Sequence, residues 1–330
     1  MRRGPYLAIN GAVWLALLAA PLLLDSWLLA QVAQFLTYGI FAMSLALIWG
    51  QCGLLCFGQA VFFGLGAYAM SLLTLERIPG LEPLAYSWLG LLFAMALPAL
   101  FANLLGRFLF YGRGLRGAYL GIVTLAIAVV VERLAVSWSY IGGLNGLINV
   151  PPITWGRIGQ GLEIWDDLPV YAIALGAALL VYLALEALVR SPYGTVLRAI
   201  RDNETRTASF GYDTAAYKLS AFTLGAAVAG LAGALFVTQF SFVSPSVIGF
   251  ALSTEVLIWV ALGGRAWLLA AFLGALLLRT AENWLSESNL LGPWWLLALG
   301  GLVVLSVVVF PQGVIGGLLE RATRRTPTLG

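Results

Sequence analysis

Residues Arg190–Lys218 have the sequence RSPYGTVLRAIRDNETRTASFGYDTAAYK, a polar segment between two long apolar runs. It holds five basic and three acidic residues in a chain of which only 10% of residues are charged. The first residues, Ser191-Pro192-Tyr193-Gly194, predict a turn, because proline fixes its own φ and glycine permits a positive φ. The segment therefore predicts a polar loop between two membrane spans, over residues 190–218.

Residues 195–209 within this loop predict a short amphipathic helix. Leu197, Ile200 and Ala208 lie near one face, and charged residues surround the rest. Gly211 is expected to close its C-terminus. Such a helix lies either on the lipid surface or on a soluble partner. Its narrow apolar face has no Trp or Phe anchor, and its acidic residues oppose binding to anionic lipid, so a protein partner is favoured.

The composition predicts an all-α polytopic membrane protein that forms one domain over residues 1–330. The chain is 61% apolar, and its charged fraction of 10% is well below the roughly 25% of a soluble domain. Cys52 and Cys56 are its two cysteines, so no disulfide framework is expected. Their i, i+4 spacing offers two ligands for a metal ion, but the chain has no histidine to complete a site. We expect both to be packing residues.

Ten apolar segments predict about ten transmembrane helices. The first follows Met1-Arg2-Arg3 and is long for the apolar core of a signal peptide, so we expect it to remain as a span. The third and eighth are short and are either full spans or re-entrant helices. The segments cover residues 7–24, 27–49, 59–75, 86–105, 118–136, 168–189, 219–240, 250–262, 266–281 and 294–310.

The distribution of charge supports this count and predicts cytoplasmic N- and C-termini. With that orientation the basic groups collect on the cytoplasmic side, as the positive-inside rule requires. These groups are Arg2-Arg3, Arg107/Arg113/Arg116, the loop 190–218, Arg265 and Arg321/Arg324/Arg325. The long loop over residues 137–167, with an acidic cluster at its end, is then periplasmic.

Enzymatic chemistry is not expected in this chain. All five aspartates fall in loops, histidine is absent, and the one lysine, Lys218, lies at the edge of a span. A metal-dependent, aspartyl or serine-nucleophile enzyme therefore lacks its ligands, acids or base. Tyr217 precedes Lys218, so the chain also lacks the glycine-lysine pair of a phosphate-binding loop. Any ATP that drives transport must be bound by another chain.

Two features are candidates for a substrate pathway. Residues 50–70, GQCGLLCFGQAVFFGLGAYAM, form a glycine-rich break followed by an apolar helix, which either lines a cavity or packs tightly against a neighbour. Glu255 is the deepest ionisable residue in the span map, and is either functional or a hydrogen-bond partner to another helix. The candidate pathway residues are Gly58, Gln59, Phe62, Phe63, Gly66, Tyr68 and Glu255.

Several blocks of the sequence resemble one known family. GLLCFGQAVFFGLGAYAM, LRGAYLGIVTLA, GGLNGL before Pro151-Pro152, and the whole loop from SPYGTVLRAIRDNE onward are similar to the branched-chain amino acid ABC importer permeases, specifically the LivM-type subunit. VSPSVIGFALSTEVLIWVALGG fits the same family. The resemblance covers nearly the whole chain, and RAIRDNE is its most specific part.

The resemblance implies a transmembrane permease of the bacterial cytoplasmic (inner) membrane that works by alternating access. It implies a second, similar permease, two ABC ATPase subunits that bind ATP, and a periplasmic substrate-binding protein. The helix from Arg198 to Gly211 would be the coupling helix that docks on the ATPase. Its coupling residues would be Arg198, Ala199, Arg201, Asn203, Glu204, Ala208 and Gly211.

The resemblance leaves the substrate open. Gln59 stands where the family often has histidine, and residues 267–271 replace a stretch that usually includes a glycine-proline pair. Urea and short-chain amide permeases share the same blocks and are an alternative. A lone secondary carrier or channel is a further alternative, which would need a coupling-ion site for which Glu255 is the candidate.

Overall fold

The computed structural model describes residues 3–80, 82–111, 117–159, 161–287, 301, 313–317 and 319. The chain is almost entirely helical in these residues. Its helices are α1 (Arg3–Ala19), α2 (Ser26–Leu45), α3 (Gln59–Thr74), α4 (Ser87–Phe110), α5 (Ala118–Ser137), α6 (Asp167–Arg190), α7 (Pro192–Ser209), α8 (Thr214–Phe240), α9 (Phe250–Gly263) and α10 (Leu268–Glu287).

The helices are those of a multi-pass membrane protein, as predicted. Seven helical segments of the described chain are long and apolar enough to cross a membrane, and the helices over Ala8–Leu22 and Gln59–Thr74 are shorter but apolar. These nine match predicted spans one to nine. The predicted tenth, residues 294–310, lies outside the described residues except for residue 301, so the total of ten and the side of the termini stay predictions. The seven long apolar segments are Ser26–Gln51, Ser87–Phe110, Tyr119–Ser137, Asp167–Arg190, Thr214–Phe240, Pro245–Gly263 and Leu268–Ser286.

Helices α3, α4 and α8 pack with their backbones in direct contact. The small residues that recur every four positions in α8 allow this approach. A Cβ atom at Gly233 would overlap the carbonyl oxygen of Phe63, and one at Gly66 would overlap Gly230. Gly230 in turn lies against the carbonyl of Ala94 in α4. The small-residue repeat is therefore the contact surface of the central three helices.

The opposite face of α4 is lined by large exposed apolar side chains, which recur mostly every four residues. In water such a continuous stripe would be unfavourable, so we assign it to lipid contact. It consists of Trp88, Leu92, Leu100, Leu104 and Phe108.

The long loop after α5 contains short strands. β1 (Leu147–Ile148) pairs antiparallel with β4 (Phe242–Val243), which follows α8. β2 (Thr154–Trp155) pairs with β3 (Leu162–Glu163). The loop is thus attached by backbone hydrogen bonds to the end of α8.

Several helix boundaries differ from the sequence predictions, and those of α7 and α10 bear on the contacts described below. α7 begins at Pro192 and not at residue 195, because proline is well suited to the first helical position, where no backbone N–H partner is needed. α10 continues to Glu287 and not only to residue 281. Its extension makes contacts with α2, since the Asn283 side chain donates to Gln31 at 3.0 Å.

Candidate functional site

Helix α7 consists of two halves separated by a kink. Asn203 has φ −159° and ψ 97°, which is extended backbone inside the helix. Its side-chain Oδ1 accepts a hydrogen bond from the Arg206 backbone N–H at 2.9 Å and so caps the second half. The single helix predicted from the sequence is therefore two short helices joined by a kink at Asn203.

The first half of α7 is held against the ends of α2 and α6. Leu197 and Ile200 are buried, as their positions on the predicted apolar face require. The Arg198 guanidinium donates from Nη1 to the Val189 carbonyl at 2.9 Å. The Arg201 guanidinium donates from Nη1 to the Gly50 carbonyl at 2.7 Å. Both arginines therefore contact the membrane helices of their own chain.

A buried ion pair holds the start of the second half. The Lys218 ammonium lies 2.6 Å from Glu204 Oε1, and the Lys218 side chain is only 3% exposed. Thr214 donates its hydroxyl to the same carboxylate oxygen at 3.3 Å. The Lys218 Nζ also lies 5.4 Å from the centre of the Phe110 ring. Glu204 thus faces α8 and not the surrounding solution.

The surface that α7 leaves uncovered lies around and beyond the kink. Ala199, Asn203, Ala208 and Gly211 are exposed. Phe210, which directly follows the helix, is 76% exposed. Gly211 has φ +88°, the left-handed conformation expected of a residue that closes a helix. The result is an exposed polar tip with two large aromatic side chains, Phe210 and Tyr212, of which Phe210 is the more exposed.

Tyr193 connects the N-terminus of α7 to α8. Its hydroxyl lies 2.6 Å from Ser220 Oγ. Its ring stacks on Tyr217 with the ring centres 5.4 Å apart. Burial raises the pKa of the Tyr193 phenol, which further favours its neutral form.

The glycine-rich break forms an irregular end to α2. After α2, residues Ala46–Gln51 form a π-helical turn. Gly53 then has φ +76°, which favours glycine. Residues 53–58 are neither helix nor strand and lead into α3. We call residues 53–58 the unwound segment.

Three side-chain hydrogen bonds fix the start of α3. The Gln59 amide is fully buried and donates from Nε2 to Ser44 Oγ in α2 at 3.0 Å. The Ala60 backbone N–H donates to Ser253 Oγ in α9 at 3.1 Å. The Phe57 backbone N–H donates to Thr124 Oγ1 in α5 at 3.1 Å. The end of the unwound segment is therefore attached to three different helices.

The candidate pathway residues of α3 separate into two groups. Gly58 and Phe62 line a small, mainly apolar pocket, together with Thr124, Phe101 and Phe222 among others. The other residues are packed: Phe63 lies against Phe41 with ring centres 4.7 Å apart, Gly66 lies on Gly230, and Tyr68 is buried. Tight packing therefore describes the second group, and a substrate pathway past Gly58 and Phe62 stays a prediction.

Glu255 has a hydrogen-bond partner on another helix. Its Oε2 lies 2.8 Å from Arg279 Nη2 in α10. The Arg279 guanidinium also pairs with Glu282 at 2.9 Å. The same guanidinium carbon lies 4.2 Å from the centre of the Tyr38 ring and 4.7 Å from that of Trp259. The structure places Glu255 in a charged and aromatic cluster that connects α2, α9 and α10.

Comparison with known proteins gives a family assignment. The family described as "Branched-chain amino acid transport system / permease component" matches residues 27–308. The chain belongs to this permease family. No solved structure matches it.

Three relatives of this chain are named for two different transport systems. The permease is 34% identical over 299 residues to the high-affinity branched-chain amino acid transport system permease protein LivM of Escherichia coli K12, with 84% of this chain and 67% of that protein covered. It is 29% identical over 228 residues to a probable LivM of Methanocaldococcus jannaschii, covering 60% and 64%. It is also 29% identical over 246 residues to the autoinducer 2 import system permease protein LsrC of Escherichia coli K12/DH10B, covering 68% and 71%.

Several residues of the permease that matter here were not predicted from sequence. Nothing in the sequence, apart from the glycine itself, indicates that the Gly50 carbonyl is the hydrogen-bond partner of Arg201. Lys218 is predicted only to lie at the edge of a span, and nothing in the sequence identifies Glu204 as its partner. Phe210 lies within the predicted coupling segment, Arg198–Gly211, but is not one of the predicted coupling residues. In the described part of the chain, no group of three or more Cys, Asp or Glu residues is placed to hold a metal ion.

Proposed function

We propose that this permease is the transmembrane subunit of a binding-protein-dependent ABC importer for branched-chain amino acids. Two separate ATPase subunits bind and hydrolyse ATP, a second homologous permease completes the pathway, and a periplasmic protein delivers the substrate. The proposal places the chain in the bacterial inner membrane. It puts α7 on the cytoplasmic side and residues 137–167 on the periplasmic side.

The observation that carries the proposal is the construction of α7. The first half is anchored to the membrane helices through Arg198 and Arg201, while Phe210, just beyond the second half, is 76% exposed. An exposed aromatic side chain on a short, mixed-charge helix is typical of an anchor that enters a groove on a protein partner. Movement of such a docked tip would be passed to the permease through the anchored half, which is what alternating access driven by ATPases requires.

The substrate class rests on the relatives. LivM of Escherichia coli is named for branched-chain amino acids, and LsrC for autoinducer 2. The first match has the higher identity and covers more of this chain, which favours branched-chain amino acids. Urea or a short-chain amide is the alternative substrate. A lone secondary carrier is less well supported, because its candidate ion site, Glu255, is paired with Arg279.

The first experiment is to purify the tagged chain in mild detergent and identify the proteins that come with it. We expect two ATPases and a second permease, and ATP-dependent uptake of leucine when the complex is reconstituted with its binding protein. Uptake of urea in place of leucine would select the alternative substrate. Transport by the chain alone, without ATP, would refute the importer proposal.

A pair of variants at Phe210 tests the docking surface. Phe210→Asp is expected to lower ATPase recovery by at least about tenfold, since a buried aromatic anchor at an interface contributes about 2 kcal/mol or more. Phe210→Leu keeps an apolar side chain and should retain most of the recovery. Because the Phe210 side chain is exposed in the isolated chain, neither change should reduce membrane insertion. Equal ATPase recovery from both variants would contradict the docking role.

A further inference from the structure

The unwound segment lies directly beside contacts with α7. Immediately before it, the Gly50 carbonyl accepts a hydrogen bond from Arg201 at 2.7 Å. Gln51 Oε1 lies 3.4 Å from Arg198 Nη1. Both arginines belong to the first half of α7, so one rigid turn of that helix holds two consecutive residues at the end of α2.

Arg201 also packs on the backbone of the segment itself. A Cβ atom at Gly53 would overlap the aliphatic stem of Arg201. Gly50 is equally confined, because a Cβ there would overlap the carbonyl oxygen of Arg265 in the turn between α9 and α10. The guanidinium and its stem therefore contact the two glycines on either side of Cys52. Arg201 thus contacts the backbone on both sides of Cys52, through its hydrogen bond to Gly50 and its packing on Gly53.

The backbone at this point is well suited to change shape. A π-helical turn inside an α-helix is uncommon and often marks a functional position. The orphan carbonyls at the end of such a turn need donors, and an arginine supplies a charge-assisted hydrogen bond that is stronger than a neutral one. At its other end the segment continues into α3, where Gly58 and Phe62 line the pocket.

We propose that Arg201, assisted by Arg198, is a positioning residue that couples the position of α7 to the conformation of the unwound segment. The inference rests on the proposed function, in which ATPase subunits move α7. It assigns a specific route to that movement: from the guanidinium of Arg201 to the Gly50 carbonyl, through residues 53–58, to the pocket at the start of α3.

A native thiol inside the segment provides the test. The chain has two cysteines, so Cys52→Ala leaves Cys56 as its one thiol, and Cys56 is buried among the pocket residues. The complex of this chain with its ATPases is treated with N-ethylmaleimide, with and without a non-hydrolysable ATP analogue. Modification of the Cys56 peptide is followed by mass spectrometry, which separates it from cysteines of the partner chains.

We expect the nucleotide to change the modification rate of Cys56 by about tenfold in the parent complex, the scale set by making or breaking one charge-assisted hydrogen bond. Arg201→Gln should abolish that change. Arg201→Lys keeps the charge and one donor, and should retain part of it. Arg190→Gln is the matched control, because Arg190 pairs with Glu186 on the surface of α6 and should leave the response intact.

Three results would overturn the inference. The first is a full nucleotide response in Arg201→Gln. The second is a shift of the Cys56 modification rate in Arg201→Gln by the same factor with and without nucleotide, so that the parent's ratio is kept, which would indicate a structural role only. The third is the lack of any nucleotide response in a parent complex that contains its ATPases. Absence of ATPases from the parent preparation would instead refute the proposed function, so the two failures are distinguishable.

Discussion

The ion pair between Glu204 and Lys218 predicts an unequal response to removal of its two partners. The Lys218 side chain is 3% exposed and that of Glu204 is 19% exposed, with 2.6 Å between their charged atoms. Glu204→Gln leaves a buried ammonium without its counter-charge. Lys218→Met leaves a carboxylate that reaches water more easily and keeps the Thr214 hydroxyl. The first change should therefore be the more damaging.

The magnitude follows from the burial of the lysine. Removing one partner of a fully buried pair costs about 3–5 kcal/mol. The Phe110 ring, 5.4 Å from the ammonium, offsets about 0.5–1 kcal/mol of this, and the partial exposure of Glu204 reduces it further. We expect a loss of about 2–3 kcal/mol for Glu204→Gln and about 1 kcal/mol for Lys218→Met. The double variant, which buries no unpaired charge, should lie within about 1 kcal/mol of the parent.

The assay is thermal unfolding of the purified chain in detergent. Glu204→Gln should lower Tm by about 5 °C, and adding Lys218→Met should restore most of that loss. Glu76→Gln, in the exposed pair with Arg157, is the control and should shift Tm by less than about 1 °C. Additive losses in the double variant, or a larger loss for Lys218→Met than for Glu204→Gln, would refute the reasoning.

Three further predictions concern other parts of the chain. Gly233→Ala should lower Tm by several degrees, because the added Cβ would overlap the Phe63 carbonyl. Its control is Gly176→Ala in α6, where the added Cβ meets open space, so this change should be neutral or stabilising by about 0.5–1 kcal/mol. Equal shifts in Tm for the two variants would contradict the backbone contact. Glu255→Gln should retain uptake, since Arg279 keeps its pair with the Glu282 carboxylate. Loss of uptake by a variant that remains stable would indicate that Glu255 takes part in the substrate pathway. Thr124→Val should cost about 1–2 kcal/mol by leaving the Phe57 N–H unpaired, while Thr124→Ser, measured in the same unfolding assay, should not.

The sequence was sufficient to predict features that depend on composition and periodicity. The long apolar runs predict the spans, because a run of that length satisfies its backbone hydrogen bonds only as a helix in lipid. The small residues of α8 predict close packing for a similarly local reason. The polar helix in the loop 190–218 follows from its charge pattern, and the structure has it there as α7.

Contacts between distant parts of the chain were beyond prediction from sequence. Arg198, Arg201 and Glu204 look alike on a helical projection as exposed charges, yet all three contact the chain's own membrane helices. Their partners lie up to 151 positions away, as for Arg201 and Gly50, and nothing local identifies them. The kink at Asn203 was missed for a related reason, since asparagine in a helical pattern is compatible with either a cap or an exposed side chain.

The backbone contact between α3 and α8 has a mechanical consequence. Packed helices usually accommodate small sliding movements through their side chains. Glycine has no side chain, and at Gly66, Gly230 and Gly233 one backbone rests directly on another. With main-chain atoms already in contact and no flexible side chains between them, we expect α3 and α8 to move together as one rigid unit. Whatever moves α8 at Lys218 therefore moves the pocket-lining end of α3 with it.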